Sequence, residues 1–188
     1  TPDLPTNSGM GADAIFKNST GALFVLYSND TDNYLSISDD SGTTWRNSTN
    51  TGLDCDYDSA DSGTLIINSS NALHIMCVVD GIESTFYSTY SSNSGTTWST
   101  AVTSTFGNTA TATMGGAITS DDKLIVCVAF QDDGLLVLNT TNSGTSWTQT
   151  TVQTAPGVFD CDIDADSTGR LHLAYTTLGA DTFYRTAA

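Results

Sequence analysis

The chain has 188 residues, with 5 basic side chains against 21 acidic ones and a formal net charge of −16. That length suits one domain of ordinary size. A surface this acidic repels phosphate backbones and anionic lipid, so nucleic acid and membrane insertion are both excluded as expectations. The longest unbroken apolar run, Leu124 to Phe130, has seven residues, far below the ~20 that a membrane-crossing helix needs.

Thr1-Pro2-Asp3-Leu4 has no charged-then-apolar secretory pattern, so either a leader has been removed or the sequence is a piece of something longer. Scarce lysine and 54 Ser and Thr residues favour a β-rich, extracellular or cell-surface protein. Taken in chain order, the predicted elements repeat. A short strand such as Ala14-Ile15-Phe16 or Thr64-Leu65-Ile66-Ile67 comes first. A polar turn follows it: Ser19-Thr20-Gly21-Ala22, Ser69-Ser70-Asn71-Ala72, Ser120-Asp121-Asp122-Lys123 and Ser167-Thr168-Gly169-Arg170. These are hairpin residues. Apolar runs then begin at Leu23, Leu73, Leu124 and Leu171, spaced by 50, 51 and 47 residues. A third strand comes next, as in Phe86-Tyr87-Ser88-Thr89 or Phe183-Tyr184-Arg185-Thr186.

A run that is apolar at successive positions needs burial on both faces of its sheet. A period near 50 residues with several short strands per unit matches propeller blades, each small sheet held between its neighbours. A β-sandwich is the rival, and it leaves the fourfold return of the cassette unexplained. Blade repeats are expected at 11–52, 53–106, 107–156 and 157–188, with 1–10 as a closing outer strand.

Three segments share a tighter pattern, Ser/Thr-x-Asp/Asn-x-Gly-x-Thr/Ser-Trp. They are built on Ser38, Asp40, Gly42, Thr44 and Trp45; on Ser91, Asn93, Gly95, Thr97 and Trp98; and on Thr140, Asn142, Gly144, Ser146 and Trp147. The Asp or Asn accepts from backbone amides further on, Gly supplies a positive φ, the hydroxyls cross-bond, and Trp returns to the core. This pattern resembles the bacterial neuraminidase repeat, or Asp box, of sialidase-like β-propellers. The resemblance implies an all-β propeller of four blades, closed or partial. It also implies that the boxes sit on hairpins between third and fourth strands at the blade periphery, with a structural role.

Sialidases of that family use three converging arginines, a Tyr–Glu pair, an Asp and an Arg-Ile-Pro-like motif. This chain has only Arg46, Arg170 and Arg185, at unrelated places in the repeat, and no such motif. No catalytic residue is assigned. The alignment of Phe183 to Ala188 with Phe86 to Ser91 ends the chain where a fourth box would begin. Asp3 to Met10 is a candidate for the missing strand, in its own ring or in another copy. His74 and His172 share one repeat position with Phe24 and Ile125, which favours packing between blades.

Asp54, Asp56 and Asp58, and again Asp160, Asp162 and Asp164, alternate in sequence. Alternate carboxylates on one face supply oxygen ligands of the kind Ca²⁺ takes, or else they are solvated acids on entry strands. Four cysteines allow three pairings. Cys55 with Cys161 across the axis, Cys77 and Cys127 either approaching at one interface or pointing away from each other, and buried free thiols all stay open. Sequons at Asn18, Asn29, Asn47, Asn68 and Asn139 are five, where composition alone gives about three by chance. The functional expectation is a non-catalytic extracellular module, structural or adhesive, that self-associates or binds other extracellular proteins. A glycan-binding lectin-like domain and a fragment of a sialidase-like hydrolase are the alternatives.

Overall fold

The apolar runs that recur in the sequence become the second strands of four antiparallel sheets. The structure is a computed structural model that describes residues 15–29, 32–53, 55, 62–79, 84–106, 112–131, 134–154, 157–179 and 181–187. The first sheet is ordered β1 (Phe16–Lys17), β2 (Leu23–Asn29), β3 (Asp32–Ser38), β4 (Arg46–Asn47). The second is β5 (Ser62–Ile67), β6 (Leu73–Val79), β7 (Thr85–Ser91), β8 (Val102–Thr105). The third is β9 (Ala112–Ile118), β10 (Leu124–Phe130), β11 (Gly134–Thr140), β12 (Thr148–Gln153). The fourth has three strands, β13 (Val158–Ala165), β14 (Leu171–Thr177) and β15 (Thr182–Ala187). Consecutive sheets touch through their first strands, β1 to β5, β5 to β9 and β9 to β13. The described residues form an all-β propeller.

All seven residues of β10 are buried, and alternation divides them between two cores. Leu124, Val126, Val128 and Phe130 pack with Met76, Val78 and Phe86 of the second sheet. Ile125, Cys127 and Ala129 pack with Ile163, Leu173 and Tyr175 of the fourth. A third core joins the first two sheets through Phe24, Leu26, Leu35, Ile37, Leu65 and Ile75. Burying one such aliphatic side chain contributes about 1.5–3 kcal/mol, so the stack is held by apolar faces.

At the inner strands the packing is tighter than side chains allow. A Cβ on Gly115 would lie 2.9 Å from the Asp162 Cα, and one on Gly116 would lie 2.8 Å from the Thr64 Cγ2. Two adjacent glycines thus let β9 approach β5 on one side and β13 on the other. The outer turns are also stitched together. Asn71 Oδ1 accepts from the Ser19 amide and hydroxyl, and Asp122 accepts from both groups of Ser69.

The histidines part company. His74 is buried, stacks on Tyr90 with centroids 5.9 Å apart, and has its pKa lowered to about 4 by desolvation. It packs inside the stack as expected. His172 instead lies on the free face of the fourth sheet. Its Nδ1 meets the Tyr184 hydroxyl and its Nε2 lies 3.2 Å from Asp166 Oδ2.

The cysteine alternatives are corrected. Cys55 pairs with Cys77 and Cys127 with Cys161, and none is free. Cys77 faces the first sheet and Cys127 the fourth, so the two point away from each other. The Cys55–Cys161 pairing fails because Cys55 shares a core with Cys77 between the first two sheets, whereas Cys161 shares one with Cys127 between the last two. The Cys127–Cys161 bond ties the third sheet to the fourth across 34 residues of sequence. Replacing both by alanine is expected to lower stability by about 4 kcal/mol, or roughly 10 °C in Tm. Denaturant unfolding with and without reductant checks this, and an unchanged midpoint contradicts it.

Candidate functional site

The three tryptophan loops connect third to fourth strands of the first three sheets. Each opens at the same register place, since Ser38 lies opposite Leu23, Ser91 opposite Leu73 and Thr140 opposite Leu124. In the first loop the Ser38 hydroxyl donates to Asp40 Oδ1 at 2.9 Å and accepts from the Gly42 amide at 2.7 Å. Asp40 also accepts from the Thr44 amide and hydroxyl, at 2.7 and 2.6 Å. Asn93 and Asn142 accept the corresponding amides of Thr97 and Ser146, then donate through Nδ2 to their hydroxyls at 2.8 Å. The Thr/Ser hydroxyl therefore donates where the acid is Asp and accepts where it is Asn.

Two residues per loop, not one, take positive φ. Gly42, Gly95 and Gly144 do so as sequence reasoning requires, and Ser41, Ser94 and Ser143 precede them at φ 59, 54 and 58. A left-handed serine is uncommon, and the only sequence signal for it is the serine before each glycine. The Thr44 hydroxyl and amide, bonded to the Asp40 carboxylate, hold its pKa down at about 2.

Each loop after the first docks on the sheet before it. Trp147 Nε1 donates to Ser88 Oγ at 2.9 Å, and its indole meets Phe86 edge-on at 5.0 Å between centroids. A Cβ on Gly95 would lie 3.0 Å from Ile37 and 3.2 Å from Ser48, and the Thr49 amide donates to Gly95 O at 3.3 Å. Trp98 Nε1 is buried without a partner. Trp45 precedes the other two and donates instead to its own loop, to Gly42 O at 3.1 Å.

The remaining sequence candidates are dispersed. Asn18 and Asn68 cap their turns, each side-chain oxygen accepting two amides. Asn47 accepts from Ser36 Oγ, Asn139 lies on β11, and Asn29 ends β2. Asp54, Asp56 and Asp58 lie outside the described residues, as do Asp3 to Met10 and Ala188. Asp160, Asp162 and Asp164 are exposed along one face of β13. Among the described residues no three His, Cys, Asp or Glu groups converge as a metal would need. Arg46 pairs with Asp39 at 3.3 Å, Arg170 sits after a turn, and Arg185 donates to Val152 O at 3.3 Å.

The fourth sheet lacks its outer strand among the described residues. Its register corrects the sequence alignment by one residue. Phe183 lies opposite Tyr175 as Tyr87 lies opposite Cys77, so Ala187, opposite Leu171, holds the place where the loops open.

No family model matches the chain, and no curated protein matches it. Solved structures do. AofleA from Arthrobotrys oligospora is 11% identical with a TM-score of 0.68, over 97% of this chain and 54% of that one. The intramolecular trans-sialidase of Ruminococcus gnavus, in complex with oseltamivir carboxylate, is 12% identical with a TM-score of 0.59, over 93% and 42%. A variant of Aleuria aurantia lectin in complex with α-methyl-L-fucoside is 12% identical with a TM-score of 0.61, over 97% and 60%. The chain spans about half the length of these structures. At such identities the likeness is one of fold, that of the sialidase-type β-propeller.

The docking geometry predicts unequal tryptophans. Trp147→Ala is expected to cost about 3 kcal/mol, and Trp45→Ala, whose indole donates within its own loop, clearly less. Equal losses in chemical denaturation contradict the docking role. The Asp40 carboxylate, held below the unfolded value near 4, contributes stability above that pH that is lost as pH falls towards 2. Asp40→Asn should keep the neutral-pH midpoint and flatten this acid limb in melts from pH 5 to 2.

Proposed function

We propose that this chain is a non-catalytic, extracellular β-propeller module with a structural or adhesive role, which joins other polypeptides by strand addition to its last sheet. The observation that carries this reading is that, among the described residues, the fourth sheet has three strands and its β15 is exposed along all six residues, beside three sheets of four strands. An open strand edge offers unpaired amides and carbonyls to any chain that arrives extended. Two disulfides in 188 residues suit an oxidising, extracellular setting. The dispersed arginines support a non-catalytic role, since a carboxylate clamp needs guanidinium groups that converge. The loops are read as Asp boxes that lock hairpins to sheets.

Light scattering over rising concentration tests the assembly. Association that grows with concentration is expected, and a strictly monomeric species at high concentration contradicts self-association. Turnover of chromogenic glycosides or sialosides contradicts the non-catalytic reading. A second reading, glycan binding, is favoured by the similar structure that holds α-methyl-L-fucoside, and a glycan array tests it.

A further inference from the structure

The turns between first and second strands are linked from sheet to sheet, and the links stop at a glycine. Asn18, Asn68, Thr119 and Asp166 open the four turns, each carbonyl accepting from the amide three residues on, at Gly21, Asn71, Asp122 and Gly169. Those four residues all take positive φ, at 92, 60, 62 and 81. Asn71 Oδ1 accepts from the Ser19 amide at 3.2 Å and from its hydroxyl at 2.9 Å. The Asp122 carboxylate does the same for the Ser69 amide and hydroxyl, at 2.9 and 2.5 Å. Ser120 holds the place of Ser19 and Ser69, but the fourth turn answers it with Gly169, where an added Cβ would meet nothing within 4 Å. The donor pair that the other two serines use therefore has no acceptor on the next turn.

A cavity of about 320 Å³ opens beside Ser120, at the small end of the range for small-molecule sites. Its lining comes wholly from the first hairpins of the second, third and fourth sheets. Ile67, Ile118 and Ala165, the last residues of β5, β9 and β13, give it an apolar wall, and Asp122 and Asp166 give it two carboxylates. Hydrogen bonds from Ser69 and Thr168 hold these acids below the ordinary carboxylate range, so both are ionised at neutral pH and repel an anion.

We propose that this cavity binds the acetamido group of a neutral N-acetylhexosamine. The carbonyl oxygen of that group accepts from the Ser120 amide and hydroxyl, as Asn71 Oδ1 does from Ser19. Its methyl packs against the apolar wall, and ring hydroxyls donate to Asp122 or Asp166. The repeat uses an amide or a carboxylate as the acceptor at this place, and the two acids already there select the amide. The inference rests on the glycan-binding reading and names the site and the sugar class.

Backbone amide shifts of the intact, oxidised protein test this during titration with methyl N-acetyl-β-glucosaminide, its galacto epimer, methyl β-glucoside and N-acetylneuraminic acid. Saturable binding of an acetamido glycoside that moves the Ser120 amide is expected, with the glucoside and the anionic sugar about tenfold weaker or silent. Gly169→Asn supplies the missing amide where Asn71 already adopts the same turn conformation, so binding should be lost while the melting temperature holds or rises. Ser120→Ala, on an exposed turn, should also weaken binding, and it serves if the first variant does not fold. Equal binding of the glucoside or of N-acetylneuraminic acid overturns acetamido recognition. Binding that both variants leave unchanged, or array binding confined to glycans without N-acetylhexosamine, overturns the site and leaves glycan binding standing. Silence in the titrations and on the array overturns both.

Discussion

The structure depends on burial of the second strand of each inner sheet from both sides. A strand with one solvated face needs only alternate apolar residues, and its neighbours need not exist. β10 is apolar at seven successive positions and buried at all of them, so it is stable only between two other sheets. The constraint propagates. Sheets stacked face to face must stay close at their inner ends, which is where Gly115 and Gly116 remove the side chains that would hold β5 and β13 apart.

The fourth sheet differs from the second on its outer face. Where the second sheet presents Thr64 and Ile66 on its first strand, the fourth presents Asp162 and Asp164 at the matching register. Its second strand carries Ala174 and Thr176 where the second sheet has Met76 and Val78. Carboxylates in a row are costly against an apolar neighbour and nearly free in water, so this outer face has the character of a polar cap on a repeat stack. The leading face of the same sheet is apolar and is bonded to the third by Cys127–Cys161. The fourth sheet is thus polar on its outer face and bonded to the stack on its inner one.

Much of this was legible in the sequence because it rests on periodicity. Leucine-led runs at Leu23, Leu73, Leu124 and Leu171 mark the doubly buried strands, and the loop pattern marks where third strands turn back. Sequence was silent where the answer depends on which faces meet. Cys77 and Cys127 lie at the fifth and fourth places of their strands, which shows that they point oppositely but not which cysteine waits on either side. The pairing within the second sheet and across to the fourth needed the connector before β5 and the approach of β13. His172 repeats the position of His74, yet among the described residues no sheet covers it, so it is part-exposed where His74 is buried. The cavity between the third and fourth sheets was invisible for the same reason. It is made by residues of β11, β12, β14 and β15, joined only once the sheets stack.

The most direct measurement of double-sided burial is amide hydrogen exchange on the native protein. Amides of Leu124–Phe130 and Leu73–Val79 are expected to exchange only through global unfolding, and those of Thr182–Ala187 orders of magnitude faster through local opening. Exchange of Leu124–Phe130 at the pace of Thr182–Ala187 would mean that the third sheet is not enclosed by its neighbours, and the account of the stack would be wrong.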